Sequence, residues 1–105
     1  MIVVEELNLD EVKQGLADKS IVLIDVREDN EWAAGHIPGA IHNPLSRFDI
    51  TALPKDKRVV FYCRSGRRTL KALELAQTGG RPDVKAHFGG SMIVWTAAGE
   101  PLRHP

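Results

Sequence analysis

The sequence has little sulfur, no net charge and no long apolar stretch. A single cysteine, Cys63, stands among 105 residues. One thiol cannot close an internal disulfide, so nothing points to an oxidising compartment. Fourteen basic and fourteen acidic residues cancel, and a neutral chain argues against nucleic acid, which calls for a basic face. No apolar run approaches a membrane span. "MIVVEELNLDEV" meets Glu5 and Glu6 before any stretch could serve as a signal peptide. A cytoplasmic protein with neither membrane nor nucleic-acid partner is expected. Repeats, low-complexity tracts and linkers are also missing. Because 105 residues are too few to bury two cores, one domain over residues 1–105 is expected. His36, His42, His87 and His104 show no metal-ligand spacing. No glycine fingerprint for phosphate appears either. Neither metal nor cofactor is therefore expected, and the balanced charge favours a monomer.

What is present alternates between two patterns. "MIVV" (1–4) reads as a first strand, and "NLDEVKQGLAD" (8–18) as a helix capped by Asn8, with Glu11 three residues on and Leu9, Val12 and Leu16 on one face. "IVLIDV" (21–26) and "RVVFYC" (58–63) are continuous apolar runs of the kind found in strands buried on both sides. "REDNEWAAG" (27–35) reads as a short helix closed by Gly35, with Arg27 and Glu31 one turn apart and able to pair. A turn at Pro38-Gly39 leads to a short strand around residues 40–42, then to a loop or short helix over 46–56. "RRTLKALELAQ" (67–77) is amphipathic, "DVKAHF" (83–88) a weak strand, and "GGSMIVWTAAG" (89–99) a last helix preceded by a glycine cap. Strands alternating with helices imply an α/β domain around a mainly parallel sheet, with ligands beyond the carboxyl ends of the strands. Cys63 lies at such an end.

The thiol also lies in the most cationic stretch, "CRSGRRT". A helix beginning near Arg67 or Arg68 would turn its unpaired N–H groups toward the preceding loop and favour an anion there. Gly66 permits a positive φ that aims backbone amides at one centre. Arg64, Arg67 and Arg68 add fixed charge. A thiolate is an anion, so each feature lowers the pKa of Cys63 below the free value of about 8.5. The plainer alternative is that Cys63 is a small buried hydrophobe and the arginines a solvated face. Yet arginine at a helix amino terminus opposes the macrodipole, so three of them suggest a bound anion.

"CRSGRRT" resembles the active-site loop of the rhodanese-like sulfurtransferases. "LIDVREDNEWAAGHIPGAIHNPL" (23–45) is similar to the amino-terminal signature of that family through Asp25-Val26-Arg27, Glu31 and residues 35–40, and "FGGSMIVWTAAGEPL" (88–102) to its carboxy-terminal signature through Gly89-Gly90 and Trp95. The resemblance implies a three-layer α/β/α domain with a five-stranded, mostly parallel central sheet, and one module without a tandem partner domain. It implies that Cys63 is catalytic and accepts sulfur as a persulfide from a small anionic donor such as thiosulfate. It further implies that Arg64, Ser65, Gly66, Arg67, Arg68 and Thr69 form the binding loop, and that a thiol, cyanide or a sulfur-accepting protein removes the sulfur. Arg68 ranks first for the donor sulfonate by loop position. Asp25 is expected to accept hydrogen bonds that hold the loop or neighbouring backbone, and Arg27 to form an orienting pair with Glu31. His36 is expected to bond within the "GHIPGA" turn, and Trp32 and Trp95 to belong to the core. Two other readings stay open: a carrier that takes persulfide sulfur from a protein partner, and a cysteine phosphatase or arsenate reductase. The last suits a loop with five residues between cysteine and arginine, whereas Arg68 follows Cys63 after four and Thr69 holds the fifth place.

Overall fold

The two apolar runs lie side by side at the middle of the sheet. In the computed structural model, which describes residues 1–105, β2 (Ile21–Asp25) pairs in parallel with β4 (Arg58–Tyr62), with Leu23 opposite Val60 and Asp25 opposite Tyr62. Around them the chain builds β1 (Glu5–Leu7), α1 (Leu9–Ala17), α2 (Asp29–Ala34), β3 (Ile41–His42), α3 (Arg68–Thr78), β5 (Ala86–Phe88) and α4 (Ser91–Ala97), with two short 3₁₀ turns before β4. The sheet has five strands in the order β1-β5-β4-β2-β3, and every pairing is parallel. This confirms the expected α/β fold. β4 is where the order reverses, so the loops that follow β2, β4 and β5 meet at one edge.

Side chains on β4 alternate between two cores because successive residues of a strand point to opposite faces. Val60 and Tyr62 join Leu7, Val12, Phe88 and Trp95 on one face. Val59, Phe61 and Cys63 join Ala72, Leu73 and Ala76 of α3 on the other. Phe61, Tyr62 and Leu73 have no exposed surface. No helix is long and apolar enough to cross a membrane.

The boundary at the amino terminus differs from expectation. The first strand is Glu5–Leu7 rather than residues 1–4. Pairing is set by β5, which aligns Glu5 with Ala86 and Leu7 with Phe88. The apolar start instead crosses the end of α3, where Val3 exchanges hydrogen bonds with the Gln77 side chain, and Val3 and Val4 stay exposed. Leu70, one of the leucines of α3, also points to solvent, while Thr69, Ala72, Leu73 and Ala76 make the buried stripe.

The α1 start follows the expected capping box: Asn8 Oδ1 accepts from the Glu11 N–H, and Glu11 Oε1 accepts from the Asn8 N–H, each at 2.9 Å. Asn8→Ala should lower unfolding free energy by about 1 kcal/mol. Urea denaturation should show an earlier midpoint at unchanged slope.

Candidate active site

Cys63 directly follows β4 and is almost wholly buried, with α3 starting five residues later at Arg68. The intervening loop wraps the sulfur because Gly66 takes φ +87°. A Cβ on Gly66 would also collide with the Gly89 carbonyl oxygen, so the loop after β4 is pressed against the loop after β5. The Gly66 N–H donates to Cys63 Sγ at 3.1 Å. Burial pushes the Cys63 thiol up, but the backbone N–H groups of Thr69, Gly66, Ser65 and Arg68 outweigh it and hold the pKa below the ordinary value. The largest part of that stabilisation comes from amides at a helix start.

Each residue expected at the site has a definite place. Ser65 faces solvent and contributes its N–H. Thr69 is buried, and its hydroxyl donates to the Gly66 carbonyl oxygen at 2.9 Å, pinning the turn. Arg64 and Arg67 are exposed and have no carboxylate partner. Arg68 is different: its two terminal nitrogens donate to the two Glu31 carboxylate oxygens at 2.6 and 2.8 Å. Arg68, ranked first for substrate by position, thus has its planar fork committed to α2.

The expected Arg27–Glu31 pair does not form. Arg27 instead donates to Asp25, at 3.0 Å from Nε and 2.7 Å from a terminal nitrogen, and to the Gly35 carbonyl oxygen at 2.8 Å. Helical spacing fails here because Arg27 precedes α2, whose first residue is Asp29. Asp25 also accepts from the Arg27 backbone N–H at 2.9 Å. It shares an edge of the sheet with Cys63 but not a face. It lies opposite Tyr62 in register, whereas Cys63, one residue on, packs on the α3 side. Tyr62 is buried, its phenol pushed up by burial and then by the Asp25 charge, and its oxygen accepts from the Ile37 N–H at 3.1 Å.

His36 bonds outside its turn. Its Nδ1 faces the Trp32 carbonyl oxygen at 3.3 Å and its ring stacks on Trp32, while its backbone bridges to Arg103. Trp95 is core, as expected, and Trp32 is half-buried. Beside the loop lies a cleft of about 360 Å³ bordered by Arg64, Glu31, Met92, Ile93 and Leu102.

Sequence reasoning missed Ser91. Its hydroxyl accepts from the Cys63 N–H at 3.1 Å and donates to the Phe88 carbonyl oxygen at 2.8 Å. It does so from a left-handed backbone, φ +53°, a conformation that costs a serine about 1 kcal/mol or more. Met92 and Ile93 then donate from their N–H groups to the carbonyls of Cys63 and Arg64. The available signal was the position of "GGS" at the end of a strand beside β4.

The sequence pattern of the rhodanese-like domain matches residues 8–98. The chain belongs to the rhodanese-like family. A sulfurtransferase of Allochromatium vinosum is 35% identical over 105 residues, covering 97% of each chain. The thiosulfate:glutathione sulfurtransferase of Saccharomyces cerevisiae is 35% identical over 100 residues, covering 81% of this chain and 71% of its own. Among solved structures, the human single-domain sulfurtransferase TSTD1 superposes with a TM-score of 0.74 at 31% identity, over 88% of this chain and 95% of that one. Relatives of this chain are thus named as sulfurtransferases, and the solved human one shares its fold.

Two outcomes follow from this geometry. Gly66→Ala must either strain the backbone or push away Gly89. It should cost more than about 2 kcal/mol and slow alkylation of Cys63 at neutral pH toward the rate of an unperturbed thiol. The second concerns acid. The Arg68 hydrogen bonds hold the Glu31 carboxyl at about 2, below its ordinary 4.5. A depressed carboxylate contributes stability above its unfolded value, and that contribution fades as pH falls through the folded one. Glu31→Gln should therefore lose about 1 kcal/mol at neutral pH, a figure discounted for solvent contact. Its pH–stability curve should be flatter than wild type between those two values.

Proposed function

We propose that this protein moves a sulfane sulfur as a persulfide on Cys63, from thiosulfate or a similar donor to a thiol acceptor. The observation that carries the reading is the cradle itself: a buried sulfur faced by backbone N–H groups, with its pKa lowered by them. In the first step the Cys63 thiolate attacks the outer sulfur of thiosulfate. The new Sγ–S bond forms as the old S–S bond breaks, and sulfite leaves with the bonding pair. The persulfide bears negative charge on its terminal sulfur, and the loop N–H groups stabilise it as they would an oxyanion. In the second step an acceptor thiolate attacks that terminal sulfur, the Cys63 thiolate departs, and the acceptor leaves as its own persulfide. Arg64 and Arg67, unpaired at the rim, attract the sulfonate of the donor. With a single cysteine, no resolving disulfide forms within the chain, so the acceptor comes from outside.

The naming of one relative as a thiosulfate:glutathione enzyme supports this donor and acceptor chemistry. A second reading, a carrier charged by a partner protein, uses the same sulfur and the same N–H groups. Phosphoryl transfer is disfavoured. It needs an arginine fork aimed at the tetrahedral group, and Arg68 spends its fork on Glu31.

Intact mass of the reduced protein after brief exposure to thiosulfate is the deciding measurement. A gain of one sulfur atom is expected. It should be absent in Cys63→Ser and reversed by glutathione or cyanide, with sulfite released in equal amount. A folded protein that gains no sulfur from thiosulfate yet accepts it from a protein persulfide would favour the carrier instead.

A further inference from the structure

His87 on β5 is a buried imidazole that the sulfur chemistry above leaves unused. Its Nδ1 lies 2.7 Å from Thr69 Oγ1, and that hydroxyl lies 2.9 Å from the Gly66 carbonyl oxygen. A carbonyl oxygen only accepts, and a hydroxyl has one proton to give. The Thr69 proton therefore goes to Gly66, and His87 Nδ1 carries the hydrogen that Thr69 Oγ1 accepts. Nε2 is left facing Glu6 Oε1 at 3.5 Å on the edge strand. Burial holds the imidazole below its ordinary range, against the pull of Glu6.

Thr69 is the hinge of this arrangement. Its N–H is foremost among the donors that lower Cys63, while its hydroxyl fixes the carbonyl of Gly66, whose own N–H reaches the sulfur at 3.1 Å. One threonine thus links a ring on β5 to two of the sulfur's donors. Gly66, whose carbonyl that hydroxyl binds, stands at a positive φ. Remove the ring, and Thr69 Oγ1 loses its donor beside an unfilled space.

We propose that His87 is a positioning residue for Cys63, donating from Nδ1 to Thr69 so that Thr69 holds Gly66 and the loop N–H groups on the sulfur. This rests on Cys63 being the nucleophile and adds to the site a residue from another strand. Charges near the sulfur are Arg64, Arg67 and the Arg68–Glu31 pair, with Asp25–Arg27 on the far face of the sheet. Glu6 on β1 is the charge facing the ring. Substituting His87 for a neutral residue leaves all of them in place, so a change at Cys63 reports the hydrogen bonds.

The test is the pH dependence of Cys63 alkylation by iodoacetamide in the full chain, for wild type, His87→Ala and His87→Asn. The Asn side-chain nitrogen stands close to where Nδ1 stood. His87→Ala should move the midpoint up by about one pH unit, roughly tenfold less thiolate below the midpoint, and His87→Asn should recover most of that shift. A folded His87→Ala with the wild-type midpoint would overturn the assignment while leaving the nucleophile intact. A wild-type Cys63 that titrates as a free thiol would overturn both. Should His87→Ala fail to fold, ¹⁵N NMR of the wild-type imidazole still decides: a hydrogen on Nδ1 is expected. A hydrogen on Nε2 instead would mean that Thr69 donates to His87 and not to Gly66, and the proposal would fall.

Discussion

The site depends on a set of backbone N–H groups converging on one buried sulfur at the end of the central strand. Four amides, from Ser65, Gly66, Arg68 and Thr69, hold Cys63 below its ordinary pKa against the cost of burial. Such convergence requires a sharp turn between β4 and α3, and Gly66 supplies it at φ +87°. The turn is then clamped from two sides. Gly89 leaves no room for a side chain on Gly66, and Thr69 holds its carbonyl. Ser91 accepts the Cys63 N–H from a strained backbone. Strain of this kind persists only where the surroundings over-determine it, and here the N–H groups of Cys63, Met92 and Ile93 are all satisfied by the join between the two loops.

Charge is distributed with equal economy. The carboxylates of Asp25 and Glu31 are each consumed by one arginine, Arg27 and Arg68 respectively. Asp25–Arg27 is buried, and losing either partner would strand a charge at a cost of about 3–5 kcal/mol. Its work is architectural: it closes the turn after β2 and, through the Gly35 carbonyl, the end of α2. Glu31–Arg68 ties that helix to the start of α3. With both acids neutralised, Arg64 and Arg67 give the rim a positive balance. In the proposed reaction a small anionic donor meets attraction outside and hydrogen-bond donors inside, a sequence of fields suited to a sulfonate and then to a persulfide.

Much of this was legible in the residues. β2 and β4 announce themselves as continuous apolar runs, and the Asn8–Glu11 box appears in the structure as written. The cysteine, the glycine three residues on and the arginines around it point to an anion-holding loop before any helix is seen. Reading helical spacing as contact misled for Arg27, which lies outside α2 and finds Asp25 two residues back. Apolarity misled for residues 1–4, because strand pairing at the edge follows the register of β5 rather than local hydrophobicity.

The sequence by itself determined the order of elements, the parallel α/β class and the identity of the sulfur-bearing loop, since those depend on periodicity, capping and turn residues that are local in the chain. Only the tertiary structure decided which groups meet across the sheet edge. Glu31 and Arg68 are separated by 37 positions, Cys63 and Ser91 by 28, and Thr69 and His87 by 18. Such partners are brought together by strand order and by the reversal at β4, and no pattern along the chain encodes which of several arginines a distant carboxylate will reach.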